Sequence, residues 1–487
     1  MDRRTEVLVV GSGAGGTVTA HCLAAAGFEV TVLEEGGRVT PDQYGRSSPE
    51  AMRLMYRMQG MNPISGRVPI GYVEGACLGG STEINCGFWH RTPAAVLSRW
   101  KNEYELTEIA EQDLEPHFAW GEEKLGVALF PGPWPRSTEL FARGIEAMGW
   151  SFREVPRGAP GCQQSNRCAQ GCPTGAKQGM TRKLIPEAEG CGARFVTNAR
   201  VLRLDTSGDR VRGAVVLTRD ATGATNRERI QADHVFVCAG ATETPALLLR
   251  SGIRHGIGNS FRIHPYLKVV ARYPEPVGAI HNVLPLLQVD EFSPEIVLGG
   301  GYNSLGQLAM TLTDQGLAAH ALMARPEHLS SYYAGVRGSG LGRVRALRGD
   351  APGTSIRYQL TRKDLQNLSL GLARLAQALL AGGAEEVIPS VWGVGPIRSA
   401  TEAASWLTRQ LPRSALNLVT VHAFSSCPLG GRRSHSAADP FGRVWGYENL
   451  FLNDASMLPD SPGVNPQGTI IALARQNALH FVDSASP

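Results

Sequence analysis

Glu6-Val7-Leu8-Val9-Val10-Gly11-Ser12-Gly13-Ala14-Gly15-Gly16 opens the most informative stretch of the chain, and Glu29-Val30-Thr31-Val32-Leu33-Glu34 completes it. Val7 to Val10 is an unbroken apolar run, which reads as a short strand buried on both faces. The residues from about Ala14 to Ala26 predict a helix stopped by Gly27, and Glu29 to Leu33 predicts the next strand. Gly11, Gly13 and Gly16 follow the dinucleotide-binding fingerprint, with Glu34 standing 23 residues after Gly11. Gly11 permits the tight turn, Gly13 lets the backbone approach a pyrophosphate, and Gly16 allows the helix to pack on the strand. The helix amino terminus then offers unpaired N–H groups and the positive end of its dipole to the phosphates. Glu34 can accept hydrogen bonds from a ribose, and its charge would repel the extra phosphate of NADP. The fingerprint alone does not separate NAD from FAD.

The rest of the chain sets limits on this reading. Its 487 residues suffice for two large domains or three average ones. Apolar residues make up 43% and charged residues 19%, which excludes an intrinsically disordered chain. Nine cysteines are too few for a disulfide scaffold. No apolar run approaches the length of a transmembrane helix. Only six of the 48 basic residues are lysine, and the arginines are dispersed, so nucleic-acid binding is not expected. The densest basic run, Arg337 to Arg348, is interrupted by Gly338, Gly340 and Gly342 and reads as a solvated hairpin. Arg3 and Arg4 before the apolar run, with Ala24 to Ala26 beyond it, imitate a secretory leader. A leader needs a longer apolar region, and cleavage would remove the fingerprint, so a cytoplasmic location is expected.

Beyond Glu34 regular strand–helix repeats give way to an irregular stretch, roughly 41–100. It contains Gly75-Ala76-Cys77-Leu78-Gly79-Gly80-Ser81-Thr82-Glu83-Ile84-Asn85 and Arg91-Thr92-Pro93. Near the carboxyl end stand Val421-His422-Ala423-Phe424-Ser425-Ser426-Cys427-Pro428-Leu429-Gly430, Val444-Trp445-Gly446 and Asn449-Leu450-Phe451-Leu452-Asn453-Asp454-Ala455-Ser456. Gly463-Val464-Asn465-Pro466-Gln467-Gly468-Thr469-Ile470 follows. In these motifs and their order the sequence resembles the glucose–methanol–choline (GMC) family of FAD-dependent oxidoreductases over essentially its whole length, least clearly between about 270 and 400.

The resemblance implies an α/β protein with a Rossmann-like FAD-binding domain built from discontinuous segments. A substrate domain with a mixed or antiparallel β-sheet backed by helices would lie over the flavin. The expected boundaries are 1–265 for the first part of the FAD domain, including the irregular 41–100 stretch and a cysteine loop at 160–178. Residues 266–410 would form the main part of the substrate domain, and 411–487 would return to the FAD domain. By the same analogy the loop carrying Gly79, Gly80, Ser81 and Asn85 would lie against the flavin and its phosphates. Val201 would meet the adenine. Val235 to Ala241, with Cys238-Ala239-Gly240 at its end, would form a second FAD-contacting turn. Asp454-Ala455 and Asn465-Pro466 would close around the pyrophosphate and ring.

Alcohol oxidation needs a base for the hydroxyl proton and a group that holds the oxygen, the cofactor carrying the redox step. Histidine suits the base because its ordinary pKa lies near neutrality. His422 follows the apolar positions Leu418, Val419 and Val421, which read as a buried strand ending at a loop. It matches the family's catalytic histidine in its spacing to Cys427. Asn465 matches the second member of the family's pair and could donate a hydrogen bond to the substrate oxygen. His264, before Pro265, is read as structural. Ala423, Phe424 and Pro428 depart from the family's common residues, which leaves the pocket around the base, and the alcohol, undetermined.

Cys162, Cys168 and Cys172, followed by Pro173-Thr174-Gly175-Ala176-Lys177, invite an iron–sulfur reading. Their spacing resembles a bacterial branch of the family whose glucose dehydrogenase carries a three-iron cluster. Zinc would need a fourth ligand, for which only Cys191 is near. The alternative is a loop of reduced thiols without metal. Leu365, Leu368, Leu372, Leu375 and Leu379 repeat at helical spacing before Gly382-Gly383 and predict one core-packed helix in an otherwise β-rich middle. Two functional readings follow. One is an FAD-dependent alcohol oxidoreductase whose acceptor is oxygen, a quinone or an electron-transfer protein. The other is a flavin/iron–sulfur electron-transfer dehydrogenase working through the cysteine loop. A purely NAD-linked enzyme using only the fingerprint is a third, separated from both by the colour of the protein.

Overall fold

Burial on both faces makes Arg3–Val10 the central strand of the first sheet: Val7, Leu8 and Val9 are fully enclosed. This computed structural model describes residues 3–44, 47–347 and 353–485. Arg3–Val10 pairs in parallel with Val30–Leu33 on one side and with Thr225–Val237 on the other. Arg194–Val196 extends the parallel edge beyond Val30–Leu33, and Leu450–Leu452 pairs in parallel with the end of Thr225–Val237. Ala199–Ser207 and Arg210–Arg219 complete the seven strands as an antiparallel meander. Helix Ala14–Ala25 packs against the long carboxyl-terminal helix Gln467–Ala485, so the two ends of the sequence build one layer beside this sheet.

A second, nine-stranded sheet is mostly antiparallel. Its centre is Tyr266–Arg272, paired with Leu329–Val336, Glu386–Pro389 and Leu418–Thr420. Alternation along Tyr266–Arg272 divides its roles, because successive side chains leave opposite faces. Leu267, Val269 and Ala271 enter a core shared with helices Arg136–Ala147 and Arg362–Ala381, while Tyr266 and Lys268 look the other way into a large cavity. Arg362–Ala381 carries the predicted leucine stripe, and all five leucines are buried. Thr361 opens it with a reciprocal cap: the Asp364 N–H donates to Thr361 Oγ1 at 3.1 Å, and the Thr361 N–H donates to Asp364 Oδ2 at 2.8 Å. The predicted glycine stop follows, with Gly383 at φ +103°.

The stretch expected to be irregular holds more order than its sequence suggests. Ser48–Met55 and Ala94–Tyr104 are helices, Asn62–Ile64 is an edge strand of the second sheet, and Ile70–Tyr72 joins it to Leu418–Thr420. Three-residue strands are too short to display a period. The arginine run is only partly a hairpin: Gly342–Ala346 and Thr354–Tyr358 pair antiparallel, whereas Gly338 and Gly340 pack tightly on Ile263 and Gln359 backbone oxygens. Arg348 lies outside the described residues. Among the described residues, no helix is long and apolar enough to cross a membrane.

Candidate active site

Each glycine of the amino-terminal turn has its own physical reason. Gly11 sits at φ +100°, and a Cβ there would stand 2.4 Å from the Cys238 carbonyl oxygen. A Cβ on Gly16 would meet the Gly11 oxygen at 1.9 Å, so the helix can rest on the strand only as glycine. Gly13 differs. Its φ is −65°, and nothing of the protein lies within 4 Å of where its Cβ would point. The protein itself therefore does not require glycine at 13; whatever fills the adjoining cavity does. No side chain caps the helix that begins at Ala14, so its first N–H groups are left for a ligand.

The cavity encloses about 950 Å³ and runs between the two sheets. Gly11, Gly13, Glu34, Gly80, Ser81, Asn85, Val201, Ala239, Gly240, Asp454, Ala455, Asn465, Pro466 and His422 all line it. Gly16 and Gly79 do not; they act behind the wall. Gly79 donates its N–H to Ser12 Oγ at 3.0 Å, and Gly80 presses on Gly13, where a Cβ would approach the Gly13 Cα to 3.0 Å. Glu34 accepts from the Ser12 N–H and hydroxyl at 3.0 and 2.7 Å and from the Gly36 N–H at 2.9 Å. Burial raises its pKa against these donors. Asp454 ties the carboxyl-terminal segment to the second turn, accepting from the Gly240 N–H at 2.7 Å and the Thr244 hydroxyl at 2.5 Å. Asn85 Nδ2 donates to Gln467 Oε1. An open glycine cradle, an uncapped helix terminus and a long cavity together fit a dinucleotide such as FAD.

At the far end the strand Leu418–Thr420 delivers His422, which is buried at 8% exposure and faces the cavity. Thr420 fixes the local backbone by accepting the His422 N–H at 3.2 Å and donating to the His422 carbonyl at 3.0 Å. Asn465 Nδ2 donates to His422 Nε2 at 3.3 Å, although 43 residues separate the two in sequence. With Nε2 accepting, the ring proton resides on Nδ1, which lies 2.7 Å from the Tyr266 hydroxyl and 3.2 Å from His264 Nδ1. His264 is anchored in turn by Ser461 Oγ at 2.6 Å. Burial, with the His90 charge adding to it, pushes the His422 pKa down to about 3. Burial and His422 hold His264 well below its ordinary value. Both rings are therefore neutral near pH 7, and Nε2 is unprotonated at the cavity wall, its lone pair engaged by Asn465.

Several neighbours were not picked out from sequence. Tyr266 and Lys268 alternate with core residues on one strand, so the polar face of that alternation was the available signal. His264 touches the candidate base rather than serving the core alone. Arg57 lies near the nucleotide end of the cavity, paired with Glu35 at 2.5 Å and Glu74 at 2.6 Å, and no local sequence pattern announces it.

Cys162, Cys168 and Cys172 converge on one small pocket that Arg157 and Lys177 also line. Arg157 Nη1 donates to Cys162 Sγ at 3.6 Å and Nη2 to Cys168 Sγ at 3.4 Å, placing a guanidinium between two of the three thiols. Cys172 Sγ accepts from the Lys177 N–H at 3.3 Å. The hydrogen bond with Cys86 and the Arg157 and Lys177 cations hold the Cys168 thiol well below its ordinary pKa. Cys191 is exposed. Among the described residues, no group of three or more His, Cys, Asp or Glu is arranged to hold a metal. The reading of the loop as reduced thiols predicts a purified protein that carries flavin without iron; stoichiometric iron on elemental analysis, with absorbance beyond the flavin bands, would establish the cluster instead.

The GMC oxidoreductase family matches this chain over residues 5–266 and again over residues 339–474. A GMC-type oxidoreductase of Sinorhizobium fredii is 39% identical over 96% of this chain and 93% of its own length. A long-chain-alcohol oxidase of Arabidopsis thaliana is 27% identical over 97% of this chain and 67% of its own. Among solved structures, pyridoxine 4-oxidase from Mesorbium loti matches with a TM-score of 0.72 at 18% identity, covering 98% of this chain and 99% of that one.

Proposed function

The chain belongs to the GMC oxidoreductases, which are FAD flavoproteins, and from that membership we propose that it oxidises an alcohol to an aldehyde or ketone with His422 as the base. The observation that carries this reading is the pairing of His422 Nε2 with Asn465 Nδ2 at 3.3 Å, in the wall of the cavity that begins at the glycine turn. FAD, when bound, takes up the two electrons released by the alcohol carbon.

The side chains have separate tasks. An alcohol oxygen lodged between His422 and Asn465 lies within hydrogen-bond reach of both. His422 Nε2 accepts the hydroxyl proton, and Asn465 Nδ2 donates to the same oxygen as negative charge develops on it. Tyr266 holds the opposite ring nitrogen and fixes the ring's orientation, while the Asn465 donor selects the tautomer in which Nε2 is unprotonated. Phe88, Leu284, Leu305, Met310 and Val419 give the surrounding wall an apolar lining. This apolar lining, like the printed name of the plant relative, supports an alcohol with an apolar chain.

Anaerobic addition of a panel of alcohols to the yellow protein tests the reading: the correct class bleaches the flavin. Reoxidation of that reduced protein by oxygen, by a quinone and by an electron-transfer protein then assigns the acceptor. The depressed pKa of His422 adds a pH dependence. Its neutral, competent form persists as pH falls below the ordinary histidine value, so the acid limb of the reduction rate lies below about pH 6.5. A limb at or above that value would mean an imidazole stabilised as its cation, contrary to its burial.

A further inference from the structure

Lys268 is the one charged side chain on the cavity-facing side of strand Tyr266–Arg272 between Tyr266 and Val270, and the proposed proton transfer makes no use of it. It lines the cavity together with Tyr266, Tyr333, Gln307 and Met310. Its ammonium donates to Gln307 Oε1 at 2.7 Å, and among the described residues no carboxylate pairs with it. The carboxylates that line the same cavity have their own partners at the nucleotide end: Glu34 with Ser12, Glu35 and Glu74 with Arg57, Glu243 with Arg250, and Asp454 with Thr244.

An ammonium that is half-buried in a cavity wall without a counter-ion is costly to maintain. Burial alone lowers its pKa to about 8, so at pH 7 the group is still mostly charged. A single neutral amide oxygen leaves donors of the ammonium free on the cavity side. The position is specific as well. Tyr266 touches His422, and Lys268 stands two residues further along the same face, about 7 Å away. A substrate whose hydroxyl lies at His422 thus presents its neighbouring few atoms to Lys268.

We propose that Lys268 is a specificity-determining residue that binds the carboxylate of the substrate, so that the alcohol oxidised here is a hydroxy acid carrying its acid group a short apolar chain away from the carbinol carbon. A monoanionic carboxylate matches one ammonium and one nearby amide in an otherwise apolar wall, whereas a phosphate would leave most of its oxygens without donors. This inference rests on the alcohol-oxidation reading for the identity of the reacting group, but its binding test does not require turnover.

The oxidised FAD-loaded protein is titrated with straight-chain carboxylates from butanoate to decanoate, and separately with the primary amides of the same lengths, following perturbation of the flavin spectrum. The best carboxylate is expected to bind at least tenfold more tightly than its amide. That preference should disappear in Lys268→Met and survive in Lys268→Arg. In turnover, Lys268→Met should raise KM at least tenfold more for ω-hydroxy carboxylates than for the corresponding alkanols. Equal binding of acid and amide to the unaltered protein, or an undiminished preference in Lys268→Met, overturns the proposal. Should Lys268→Met fail to fold, the comparison of acid with amide on the unaltered protein still decides. Absence of bleaching by every alcohol would instead count against the oxidation chemistry, whatever the carboxylates do.

Discussion

His422→Ala is expected to retain FAD and to lose at least about a hundredfold in the rate of flavin reduction, the lower range for removing a positioned general base. The loss should fall on the chemical step. The methyl group that replaces the imidazole leaves the substrate hydroxyl facing Asn465 Nδ2, a donor, with no acceptor for its proton. His264 cannot substitute from where it stands, because its Nε2 is engaged with Ser461 and its Nδ1 points at the ring that has been removed. The fold should survive: the bonds from Thr420 are to the backbone of residue 422 and persist in the variant. Tyr266 and His264 each lose one partner, a penalty of about 1–3 kcal/mol for a buried polar group left unpaired. The measurement is anaerobic stopped-flow reduction with a saturating alcohol, beside flavin content per chain. Reduction within a fewfold of the unaltered protein, at full flavin occupancy, would reject His422 as the base. Asn465→Ala should cost less, because it removes a hydrogen bond to the oxygen and leaves the proton acceptor in place.

How much of this could be read from residues alone varied with how local each signal was. The opening strand, turn and helix were legible because Val7 to Val10 and the glycines at 11, 13 and 16 write burial, φ and close approach directly into the sequence. The leucines from 365 to 379 were legible for the same reason, a period sustained over about four turns. The second sheet was less so: Asn62–Ile64, Ile70–Tyr72 and Phe152–Glu154 are three residues each and acquire their strand character from neighbours far away in sequence. His422 and Asn465 entered through the spacing of a family, because nothing local to either says that 43 residues of intervening chain bring them to 3.3 Å. The cysteine loop was legible as a cluster because its spacing is local, but the residue that contacts two of its thiols is Arg157, which lies outside the motif and is held by its bond to the Cys86 carbonyl at 2.9 Å. Lys268 was missed for a plainer reason: a lone lysine in a strand usually marks a solvated face, and only the cavity turns that face inward.

Gly13→Val separates the demands of the fold from those of the cofactor, and its expected effect is near-complete loss of FAD from a protein that still folds. The reasoning rests on the contrast among the glycines of one turn. At Gly11 and Gly16 an added Cβ meets backbone oxygen at 2.4 and 1.9 Å, and backbone cannot step aside, so substitutions there damage the fold with or without ligand. At Gly13 the backbone already lies at a φ open to any residue, and the space ahead is empty of protein. A valine there projects into the cavity at the uncapped helix terminus, where the pyrophosphate of a dinucleotide receives its N–H donors. Displacing it by even about 3 kcal/mol weakens binding by more than a hundredfold. Thermal unfolding of flavin-free protein should therefore be nearly unchanged in Gly13→Val and clearly lowered in Gly16→Val, while flavin titration shows binding abolished in the first. A Gly13→Val variant that purifies yellow, with a full complement of FAD, would show that the pyrophosphate does not approach this turn, and the nucleotide end of the site would have to be moved elsewhere along the cavity.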